Sequence, residues 1–69
     1  MAGRRKFVLY TNPNNVTNNA YIADRAYDAN KVLNSAKHYP DSYTILHQGM
    51  GNDEVIQKAK QLFPHFRFV

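Results

Sequence analysis

The segment Ser42 to Phe63 constrains the fold more than any other. Ser-Tyr-Thr-Ile-Leu-His-Gln is rich in β-branched and aromatic side chains and is followed by Gly49-Met50-Gly51. Beyond the glycines, Val55, Ile56, Ala59, Leu62 and Phe63 recur at the one-face spacing of an α-helix. The pattern predicts a strand that stops at Gly49, a glycine turn and a helix. Asp53 and Glu54 in the first helical turn suit the positive end of its dipole, and Glu54 and Lys58 make a favourable four-residue pair.

The rest of the chain must cover this unit. Lys6-Phe-Val-Leu-Tyr-Thr11 is a continuous apolar run closed by Asn12-Pro13, the pattern of a strand ending in a turn. Between Thr11 and Asn19, five of nine residues are asparagine, whose side chains close turns on their own backbone, so a loop is expected. Ala20-Tyr-Ile-Ala-Asp24 reads as a short strand pairing with the first, with Asp24 capping a helix that carries Ala26, Ala29, Val32, Leu33 and Ala36. The alternative makes residues 20–24 the start of that helix. Pro40 ends the first helix and Pro64 the second, and His65-Phe-Arg-Phe-Val69 forms a last strand with Phe66 and Phe68 on one face.

The expected structure is one small α+β domain over residues 1–69 with a short basic arm over residues 1–6. It is a two-layer arrangement, a three- or four-stranded sheet with two helices on one face. The element order is β-β-α-β-α-β, or β-α-β-α-β if residues 20–24 are helical. A domain of this size buries only roughly 60% of the surface its unfolded chain exposes, which makes burial by another subunit a common remedy.

Several chemistries are excluded. The chain has no cysteine, so disulfides and thiolate metal sites are absent, and His38, His47 and His65 are too scattered for a metal cluster. Val8-Leu-Tyr-Thr-Asn-Pro-Asn14 resembles the opening of glutaredoxin-like domains. The redox cysteines of that family would fall near Asn15 and Asn18, so the resemblance implies no thiol chemistry here. Gly49-Met50-Gly51 lacks the third glycine of a dinucleotide loop, because Glu54 stands there, and Asp53 and Glu54 oppose a phosphate. Ser42 and His47 on one strand point to opposite faces roughly 16 Å apart, too far for a hydrolytic pair. No enzyme, cofactor or metal is expected.

Two binding readings remain. Nine aromatic residues include Tyr10, Tyr21 and Tyr43 on expected strands, which with Val8 would line a sheet face free to bury itself against protein. The leading expectation is therefore a non-catalytic protein-interaction module, or a homo-oligomer, with residues 12–19 at the rim. The alternative is nucleic-acid binding through Arg4, Arg5 and Lys6, with Asn14 and Asn15 near the bases. The net charge of +4 supports it, but the basicity sits at the N-terminus: the other six basic residues face five acids. No apolar run approaches the ~20 residues that span a bilayer, and the start of the chain is too short in apolar residues for a signal peptide, so a soluble cytoplasmic location is expected.

Overall fold

A computed structural model describes residues 3–14 and 16–69. Its elements follow the order β-β-α-β-α-β: β1 Arg5–Thr11, β2 Asn19–Ala23, α1 Ala26–His38, β3 Thr44–Gly51, α2 Asp53–Lys60 and β4 Arg67–Phe68. The four strands form one mixed sheet in the order β3-β1-β2-β4. β1 runs antiparallel to both neighbours, and β4 runs parallel to β2. The strand reading of residues 20–24 thus holds, and the chain is a small α+β fold.

The helices divide between the two faces of the sheet instead of sharing one. Alternation along β1 sends Phe7 and Leu9 to one side, where they pack with Ile56 and Ala59 of α2. Val8 goes to the other side and packs with Ala29 of α1 and Ala23 of β2. Strand order supplies the reason. The connection β2-α1-β3 crosses the sheet in one direction and β3-α2-β4 crosses back, and the strands they join are parallel. Two crossovers of the same right-handed sense, travelling in opposite directions, must lie on opposite faces. This is why the four apolar and aromatic positions of β1, Phe7 to Tyr10, read as a continuous run: the central strand is covered twice.

Local details differ from expectation in three places. β3 continues through Gly49 to Gly51, and both glycines lie in the strand with no positive φ. The turn into α2 is made by Asn52, whose side chain accepts from the Val55 N–H at 3.1 Å. Glycine is required at position 51 by close approach: a Cβ there would lie 2.5 Å from the Val55 Cβ. Asp24 does not cap α1. The N-cap is Arg25, which makes no side-chain capping bond, and the Asp24 carboxylate instead meets Arg5 at 3.3 Å. The last strand is brief, and its Phe68 joins the α2-side core. No helix among the described residues is long and apolar enough to cross a membrane.

Candidate interaction surface beside the first helix

α1 lies along the middle of its face, over Val8, and leaves a groove on each side. Val8 is fully buried there, so it belongs to the core and not to an interface. The three tyrosines named with it are brought together. The register pairs Tyr10 with Tyr21 across β1 and β2, and Tyr43, just before β3, closes the other side. The Tyr10 ring centroid is 5.5 Å from that of Tyr21 and 5.9 Å from that of Tyr43, with the planes tilted by 34° and 41°. All three are partly buried. Such offset, tilted contacts suit the quadrupoles of aromatic rings and hold them in place.

Two adjoining depressions share Tyr10 and Tyr43. One, of about 280 Å³, is lined by Tyr10, Asn12, Tyr21, Ser42 and Tyr43. The other, of about 340 Å³, runs between β2 and α1, where Asp28, Val32 and Ser35 face Ala23 and Asp24. Asp28, Val32 and Ser35 are spaced by four and three residues, the helical repeat, and that spacing is the signal by which sequence alone could have added them. Asn12 belongs to the loop already expected at the rim, whereas Ser42, in the turn before β3, carries no such signal. Burial raises the Tyr10 phenol above the ordinary tyrosine range, and the neighbouring Tyr43, Tyr21 and Asp28 add to the effect.

The groove on the other side of α1 has a different character. It encloses about 570 Å³ between α1 and β3, with Lys6, Lys37, Asn30, Asn34 and Gln48 around Leu33, Ala36 and Ile45. The Lys6 Nζ donates to the Asn30 Oδ1 at 2.6 Å. The basic residues of the N-terminal arm do not act together. Arg5 turns to the α2 side and bonds to Asp24 and Asp53, and these two carboxylates, Asp53 first, hold its guanidinium above its already high pKa. Arg4 reaches over the sheet edge to the Met50 carbonyl at 3.4 Å. Asn14 is exposed in the loop, its backbone N–H donating to the Asn12 Oδ1 at 2.9 Å, and Asn15 lies outside the described residues.

The histidines are dispersed. His47 sits between the Phe7 and Phe63 rings on the α2 side, His38 lies at the end of α1 beside Tyr39, and His65 is exposed. Comparison with protein-family models, with curated proteins and with solved structures finds no match.

Proposed function

We propose that this chain is a non-catalytic, cytoplasmic protein-interaction module that receives a protein segment in the groove of Tyr10, Tyr21 and Tyr43. The observation that carries the reading is the contact of three partly buried tyrosine rings beside an open groove rimmed by Asn12 and Ser42. Rings held by one another lose little further freedom on binding, and tyrosine offers large contact area with a polar tip. The setting favours protein over nucleic acid. Asp28 acts on the Tyr10 phenol, and Asp24, paired with Arg5, lines the adjoining depression with Lys31, so the rings have no surplus of positive charge to hold phosphodiesters. The tilt between the rings also offers no shared plane for consecutive bases. The segment that suits this groove is neutral or basic and carries an apolar anchor.

A second reading places single-stranded nucleic acid on the opposite side of α1, and one observation favours it: the groove there collects Lys6 and Lys37 with three amides and no acid.

Selection of random displayed peptides on the immobilised chain tests the first reading. The expected result is a recurring set of neutral or basic peptides that lose binding to the Tyr21→Ser/Tyr43→Ser double variant. Peptides that bind the double variant equally well would overturn it. For the second reading, anisotropy of a labelled single-stranded oligonucleotide should fall with salt and flatten in slope after Lys6→Ala and Lys37→Ala. Affinity at near-physiological salt that both substitutions leave unchanged would remove it.

A further inference from the structure

β3 is an edge of the sheet, bonded to β1 on one side. Pairing at the opposite edge fixes which of its backbone groups face outward. Arg67 N–H donates to the Asn18 carbonyl and Val69 N–H to the Ala20 carbonyl, so Ala20 turns its peptide groups towards β4. Tyr21 and Ala23, by alternation, turn theirs towards β1, where they meet Tyr10 and Val8. Phe7 and Leu9 then face β3, opposite Gly49 and His47. Gln48 and Met50 are left with N–H and C=O directed away from the sheet. Among the described residues, the partner recorded for these groups is the exposed Arg4 side chain, at a long 3.4 Å from the Met50 carbonyl.

Natural edges are guarded by charged side chains, prolines or bulges. From Thr44 to Gly51 this edge has no charged residue and no proline. Its irregularity falls where the register shifts between Leu9 and Tyr10, leaving His47–Gly51 regular. Met50 is 56% exposed on that stretch.

We propose that the His47–Gly51 edge pairs antiparallel with the same edge of a second copy, about a two-fold axis through Gly49. That register sets Gln48 opposite Met50 of the second copy, so the outward N–H and C=O groups of both residues find partners and Arg4 gives up the Met50 carbonyl. Gly49 then faces its own counterpart at the narrow, non-hydrogen-bonded position, where bare backbone allows close approach. No charge meets its like, which makes the edge self-complementary. Both sheets continue into one, and a small domain with little core of its own gains buried surface. This surface is separate from the tyrosine groove and does not rest on it.

Sedimentation equilibrium of the full chain, from micromolar to millimolar concentration at low and high salt, tests the pairing. The expected result is a monomer–dimer equilibrium insensitive to salt, unchanged in Tyr21→Ser/Tyr43→Ser. Gln48→Lys/Met50→Lys, both at exposed positions, should weaken association by about tenfold or more, because lysines then face each other across the axis. Gln48→Pro should do the same while keeping β1 pairing, since the lost N–H points outward. Amide exchange at Gln48 and Met50 should slow as concentration rises. A monomer at millimolar concentration would overturn the proposal, as would a dimer that ignores these variants while the two amides exchange freely.

Discussion

A Cβ added to Gly51 would lie 2.5 Å from both the Cβ and Cγ1 of Val55, whereas one added to Gly49 would meet the Phe7 ring at an ordinary 3.7 Å. The two glycines of one strand therefore answer differently to the same change. Gly51→Ala should destabilise the protein by roughly 1–3 kcal/mol, the usual cost of overpacking, because the Val55 backbone on α2 must move. Gly49→Ala should be neutral or slightly stabilising, since alanine narrows the unfolded ensemble without strain. Urea unfolding of both variants checks the contrast. Tyr10 supplies a second test. Its folded pKa lies above the unfolded value of about 10, so between those values the unfolded chain binds fewer protons and stability falls as pH rises. The stabilising effect is full below pH of about 10 and is lost through the folded pKa. Melting temperature against pH should drop above that point, and Tyr10→Phe, which keeps the ring and removes the titration, should shallow the fall.

At the scale of elements, the two helices begin with unequal support. Asn52 caps α2 through its side chain, so Asn52→Ala should cost about 1 kcal/mol. Arg25 has the extended backbone of an N-cap and no side-chain bond to α1, so Arg25→Ser should stabilise by roughly 0.5–1 kcal/mol. Thermal unfolding of the two variants should move in opposite directions. β1 and β3 were legible in sequence from their compact runs of β-branched and aromatic residues, and both helices from their apolar repeat, whereas β2, with Tyr21 and Ile22 set between alanines, left the helical alternative open. The end of β3 was not. Glycine ordinarily marks a turn, and the reason for Gly51 is a contact with Val55 that exists only once α2 has packed. Asp24 was misread for a similar reason: it stands where a cap would stand, and its partner Arg5 arrives from a distant strand.

Across the whole molecule, the helices take opposite faces because the chain crosses the sheet one way and then the other, a consequence of strand order that no local pattern reveals. That arrangement turns Val8 from a surface residue into core, yet leaves Tyr10, Tyr21 and Tyr43 beside an open groove. Alternation placed the tyrosines on one face in the sequence; their mutual contact needed the β1–β2 register and the approach of Tyr43 before β3. The basic arm was legible as a run of charge, but its residues diverge, with Arg5 neutralised by Asp24 and Asp53. The most direct measurement of the central claim is an amide chemical-shift map of the full chain titrated with the tightest selected peptide. The account predicts that the largest changes fall on Tyr10, Asn12, Tyr21, Ser42 and Tyr43. Changes concentrated instead on Lys6, Asn34 and Lys37, across α1, would contradict it.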